Sequence, residues 1–159
     1  MLHPSDIHPD AALRDLLKGT ITIGSVKVPV YADWERPTNK LADDFIVIYI
    51  NGPIGGVGMD TPYAHGNLIV SLYCRLNDDG SVKNNRVNYI LNQFDTAIEA
   101  VCTGGYHFEY EAQQFITPTT PNQTTGYSVT SLNIRWTTTS DIIKPINNLN
   151  ENGNSNQQN

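Results

Sequence analysis

The segment most suggestive of chemistry is Gly52-Pro53-Ile54-Gly55-Gly56-Val57-Gly58, a glycine-rich stretch directly after an apolar run. A dinucleotide site needs Gly-x-Gly-x-x-Gly opening a helix, so that helical amides face the pyrophosphate. Here the spacing differs, and Asp60-Thr61-Pro62 leads into strand-like sequence. No Gly-Lys-Ser/Thr follows, so a P-loop is excluded as well. Metal ligation finds no better footing. His3, His8, His65 and His107 lie in unrelated segments, and Cys74 and Cys102 form no paired-cysteine spacing. His107 and Glu109 share one side of a strand, which reads as a solvated face. No Gly-x-Ser-x-Gly elbow occurs, and both cysteines fall among apolar residues, where a thiol is inert. The acid pairs Asp43-Asp44 and Asp78-Asp79 read as turn residues that bond to nearby backbone. Tyr31, Trp34, Tyr63, Tyr73, Tyr106, Tyr110 and Tyr127 could stack bases, but that mode also needs a basic groove. Lys83 and Arg86 are the only tight basic pair. The expectation is a non-enzyme with no catalytic residue, no cofactor and no metal.

Helix and strand patterns supply the frame. Leu13, Leu16 and Leu17 share one face of a short opening helix, with Asp10 near its start and Lys18-Gly19 at its end. Val26 to Tyr31 is extended, and Pro29 confines it to an edge or an irregular position. Phe45-Ile46-Val47-Ile48-Tyr49-Ile50 predicts a central strand buried on both faces. Asn51 to Gly66 reads as a long turn-rich connection, and Asn67 to Leu76 as another strand. Val87, Ile90, Leu91, Phe94, Ile98 and Val101 recur at helical spacing, predicting a long helix over 82–102 with Ser81 as N-cap and Gly104-Gly105 as its stop. Alternation at Tyr106, Phe108 and Tyr110, and again at Leu132, Ile134 and Trp136, predicts two half-buried strands joined by a polar loop, Pro118 to Gly126. The sum is an α+β fold: a two-layer sandwich of a mainly antiparallel sheet, four to five strands, packed by one long helix plus a short N-terminal helix. Residues 1–146 make one domain. Residues 147–159, nearly all Asn, Gln, Ser and Gly, form a tail too polar to offset its ordering entropy.

The 159-residue length suits one domain with a real core. A formal net charge of -6 argues against duplex binding, and no apolar run is long enough for a membrane span. The N-terminus has neither the basic nor the apolar region of a secretory signal. Only 16% of residues are charged, and the polar remainder is rich in Asn and Thr. Such neutral surface suits a protein whose faces are covered by partners, and an AT-rich genome would produce the same Asn bias.

The order of elements resembles the tail-terminator and tail-completion proteins of long-tailed (siphovirus-like) bacteriophages. Asp10-Ala11-Ala12-Leu13-Arg14-Asp15-Leu16-Leu17 resembles their opening helix. Val28-Pro29-Val30-Tyr31-Ala32-Asp33, a Pro-containing loop, and Asp44-Phe45-Ile46-Val47-Ile48-Tyr49 resemble their "VYPD…P-Y-V-V-Y" stretch. Asn67 to Arg75 and Arg86 to Val101 match the following strand and long helix, and Tyr127 to Trp136 resembles the closing strand. The similarity spans roughly residues 9 to 138 and carries no single diagnostic motif.

The resemblance implies a ring, usually a hexamer, in the virion at the head–tail junction, assembled in the host cytoplasm. Such a ring ends tail-tube polymerisation and joins the tail to the head connector. Its partners would be further copies of itself, the tail-tube protein and the head-connector or stopper protein. DNA would pass through the lumen without specific binding, past acidic walls that discourage sticking. A stopper or tube subunit is the neighbouring alternative, and a small ligand-binding module the non-viral one. Long structureless loops in a compact domain are usually functional, which points to three contact loops: Trp34, Arg36 and Lys40 in the first; Ile54, Val57, Met59 and Tyr63 in the second; Thr119, Asn122 and Tyr127 in the third.

Overall fold

The computed structural model describes residues 7–56, 63–99, 101–110 and 119–138. Helix α1 spans Pro9–Leu17, with Pro9 in its first turn, where a missing N–H costs nothing. Leu13 and Leu17 are fully buried. A miniature hairpin follows, β1 (Thr22–Ile23) and β2 (Val26–Lys27), and then β3 (Val30–Ala32) and a 3-10 turn, Asp33–Glu35. The long strands β4 (Asp44–Gly55) and β5 (His65–Arg75) come next, followed by helix α2 (Asn84–Ile98). The chain continues through β6 (Val101–Thr103), β7 (Tyr106–Tyr110), β8 (Thr120–Asn122) and β9 (Tyr127–Thr138).

The main sheet runs β3-β4-β5-β9-β7-β6, with β8 also pairing β9. It is antiparallel except for the β3–β4 pair, which is parallel. The fold is therefore α+β with a mostly antiparallel sheet. It has seven strands where the sequence pattern predicted four to five: β3 overlaps the extended segment expected at 26–31 and takes the edge, whereas β6 and β8, of three residues each, add to the expected set. Such segments are too short to show a periodicity of two.

Alternation sorts the sheet into two faces. Ile46 and Ile48 of β4, Leu68, Val70, Leu72 and Cys74 of β5, and Leu132, Ile134 and Trp136 of β9 share one core with Leu13 and Leu17 of α1. Val87, Ile90, Phe94 and Ile98 of α2 join the same core, and each contributes roughly 1.5–3 kcal/mol by leaving water. On the other face, Phe45, Val47 and Tyr127 form a smaller cluster flanked by Tyr31, Leu41 and Tyr73. Both-face burial, expected over 45–50, holds for 45–48 only: Tyr49 is 36% exposed and Ile50 half-buried, and β4 lies one place from the edge, with β5 and β9 as the central strands.

Three further expectations are corrected. Helix α2 ends at Ile98, and Cys102 lies in strand β6. Gly104 and Gly105, expected to stop that helix, instead form the two-residue turn between β6 and β7, at φ 56° and 83°. Two successive positive φ angles are what a tight hairpin requires and what glycine tolerates. Ser81 does not cap α2: Lys83 occupies the N-cap without a side-chain bond, while Ser81 Oγ donates to Asp79 Oδ1 at 2.5 Å.

Candidate assembly surface

The three expected contact loops sit at different ends of the sheet. Parallel pairing of β3 with β4 places the turn after β3 at the same end as the tip of the β4–β5 hairpin. Trp34 stands there, 69% exposed, with its indole N–H donating to Asp10 Oδ2 at 3.2 Å. Glu35 beside it accepts two bonds from Arg14 Nη1, both 2.8 Å, and one from the Ala32 amide at 3.0 Å. Burial raises the Glu35 pKa, but those donors more than offset it, leaving the carboxyl below its usual range. An exposed indole is thus fixed by a buried acid and an ion pair on either side. Arg36 and Lys40 continue the segment in exposed positions, and Lys40 takes a positive φ of 54°.

The second loop is shorter than expected, because β4 runs to Gly55 and pairs it with His65. The register shifts between Asn51 and Gly55, the signature of a bulge. Ile54 is therefore a strand residue, half-buried against the main core. Tyr63 is 52% exposed. Val57 and Met59 lie outside the described residues.

The third loop lies at the opposite end. Thr119 Oγ1 bonds Thr130 Oγ1 at 2.6 Å, and Asn122 Oδ1 accepts from the amides of Thr124 and Thr125. Asn122 is exposed and organises the turn into β9. Tyr127 is not a loop contact: it opens β9 and is buried. Its hydroxyl donates to the Ala42 carbonyl at 2.8 Å, and the Arg75 guanidinium lies 5.0 Å from its ring centroid. Its ring meets Phe45 edge-on at 5.3 Å. A tyrosine at a loop–strand boundary looks exposed in sequence, but its aromatic neighbours Tyr73 and Phe45 come from strands 54 and 82 residues away.

At this same end a cleft of about 360 Å³ opens beneath the β1–β2 hairpin, a feature the sequence did not reveal. Its walls are Ile23, Val26, Val28, Pro29 and Ala42, and Lys27, Asp43, Asp44 and Arg86 add charge. Of the acid and basic pairs noticed in the sequence, Asp43-Asp44 and Arg86 meet here. Asp43 pairs with Arg75 at 2.6 Å, and Asp44 with Arg86 at 2.6 Å. Asp44 is buried as the first residue of β4, not a turn acid. Cys74 lies behind it, its thiol pushed up to about 12 by burial and then by the Asp44 carboxylate. A thiol so protonated cannot serve as a nucleophile near neutrality. The strand-facing pair His107 and Glu109 meets at 3.3 Å. Among the described residues, no three His, Cys, Asp or Glu side chains group to hold a metal, and no helix is long and apolar enough to cross a membrane.

The arrangement suits protein contact. Beyond Ile48, the outer edge of β4 has no partner strand among the described residues. Unpaired N–H and C=O groups on such an edge recruit another chain unless shielded. Pro53 and the bulge shield its far end, and Tyr49 is partly exposed beside it. No protein-family model matches the chain, and no curated protein sequence matches it.

Proposed function

We propose that this chain is a structural subunit that assembles with its own copies into a ring, of the tail-terminator kind found in long-tailed bacteriophages. The ring would close the head-proximal end of the tail tube and present the surface that receives the head connector. The observation that carries this reading is the half-open β4 edge, flanked by the exposed side chains of Trp34, Tyr49 and Tyr63. Exposed aromatics are over-represented at protein interfaces because they bury large area at low entropic cost. The two-layer reading belongs to the same proposal: both helices cover one face of the sheet, and the other is left for partners. On that second face, Tyr49, Asn67 and Arg135 are exposed. A net charge of -6 suits a lumen that lets DNA slide.

Mass photometry and negative-stain electron microscopy of the purified chain test the reading. Closed rings of one size are expected. Open tubes that lengthen with concentration would replace the terminator by a tube subunit, and a monomer at tens of micromolar would remove the assembly reading altogether.

A further inference from the structure

We infer that neighbouring copies join head to tail, with Trp34 of one copy seated in the cleft beneath the β1–β2 hairpin of the next and Asp33 facing Lys27. This rests on the ring reading above and specifies its contact. Trp34 is built as a knob: it is 69% exposed, yet its indole is tied to the buried Asp10 and its neighbour Glu35 is clamped by Arg14. A side chain already held in place loses little freedom on docking. The cleft is built as a socket. At about 360 Å³ it has room for one aromatic side chain, and Ile23, Val26, Val28, Pro29 and Ala42 give it apolar walls alongside the charged Lys27, Asp43, Asp44 and Arg86. Val26 on its rim is 67% exposed, unusual for a β-branched apolar residue in a strand. Lys27 and Arg86, the latter paired with Asp44, also line the cleft, and the attraction of a cation for an indole face strengthens as water leaves.

Charge complementarity selects a second copy as the occupant. Asp33 is exposed next to Trp34, and Lys27 is exposed on the socket rim. Neither forms a salt bridge among the described residues. Knob and socket flank the two ends of β3, separated by five residues or about 15 Å of extended chain. They are different patches of one surface, so each contact is heterologous, and repetition in one direction gives a ring when the rotation closes. Strand β3 is also the edge of the sheet, which leaves room for the neighbour.

The test uses the full chain and mass photometry across a concentration series. Trp34→Ala should raise the concentration needed for assembly about thirtyfold or more. Asp33→Lys and Lys27→Asp should each weaken assembly about tenfold, and the chain carrying both should recover to near wild type. Trp34→Ala keeps the socket but lacks the knob, so adding it to wild type should cap growing assemblies and lower the yield of closed rings. All substituted side chains are exposed, and unchanged far-UV circular dichroism will verify the fold. If the wild type assembles and Trp34→Ala assembles equally well, or the charge swap fails to recover, this contact is overturned while the ring reading stands. A monomeric wild type overturns both.

Discussion

Gly66 and Trp136 face each other across β5 and β9, and their contact gives a sharp test of how the core is packed. Trp136 is fully buried, and its ring meets Tyr106 edge-on at 5.9 Å. A Cβ added at Gly66 would lie 2.9 Å from Trp136 Cζ2 and 3.1 Å from Cε2 and Nε1. The indole cannot retreat without displacing Tyr106, so Gly66→Ala should cost about 1–3 kcal/mol by overpacking. The backbone there does not need a positive φ, so Ala itself would contribute about 0.4–1 kcal/mol by restricting the unfolded chain. The net loss is then about 0–2.5 kcal/mol. Trp136→Phe removes the atoms that collide. It also removes Nε1, which is buried with no hydrogen-bond partner among the described residues. In the Trp136→Phe background, Gly66→Ala should therefore be neutral or slightly stabilising. The coupling between the two changes should equal the relieved overpacking, about 1–3 kcal/mol. Urea unfolding of the four proteins, followed by far-UV circular dichroism with slopes checked for constancy, measures it. Costs that add within about 0.5 kcal/mol would refute the close-contact reasoning.

Arg86→Leu should destabilise the fold by about 3–5 kcal/mol, because it leaves the buried Asp44 carboxylate without its cation. The Asp44→Leu/Arg86→Leu chain should regain most of that in thermal unfolding, and no recovery would count against a desolvation cost. The Glu35 carboxyl is held below its unfolded value of 4.5, so its contribution is fully present above that pH and is lost as pH falls through the folded value. Glu35→Gln should accordingly lose less stability than wild type between about pH 6 and 3, and coincident acid limbs would show the pairing to be idle. With its pKa raised from 9.0 to about 12, the Cys74 thiol stabilises the fold fully below the lower value, and that contribution fades as pH rises between the two. In a Cys102→Ser chain, a thiol reagent at about pH 8 should modify Cys74 only after denaturant is added. Labelling of the native protein at the unfolded rate would contradict its burial.

Local rules were enough wherever a residue's neighbours in space are also its neighbours in sequence. The spacing of Leu13 and Leu17, and of Val87, Ile90, Phe94 and Ile98, determined two amphipathic helices. Strict alternation determined β7 and the second half of β9, and the run at 45–50 announced burial on both faces, which holds as far as Ile48. Trp34 stood out as a surface aromatic in a polar loop, although nothing local disclosed that Asp10 holds its indole. Features made by pairing across long separations were not legible. Three-residue strands have no detectable period, so the sheet gained β6 and β8 only when partners aligned them. Tyr127 exchanged an expected loop contact for a core, because Phe45 and Tyr73 arrive from other strands. Asp44 and Arg86, 42 residues apart, read as a turn acid and a helix cation until the start of β4 met the first turn of α2. Sequence by itself decided which segments must bury an apolar face, since that follows from side-chain period alone. Only the tertiary structure decided which polar groups meet and where a cleft opens, because both depend on the relative placement of elements that no local pattern encodes.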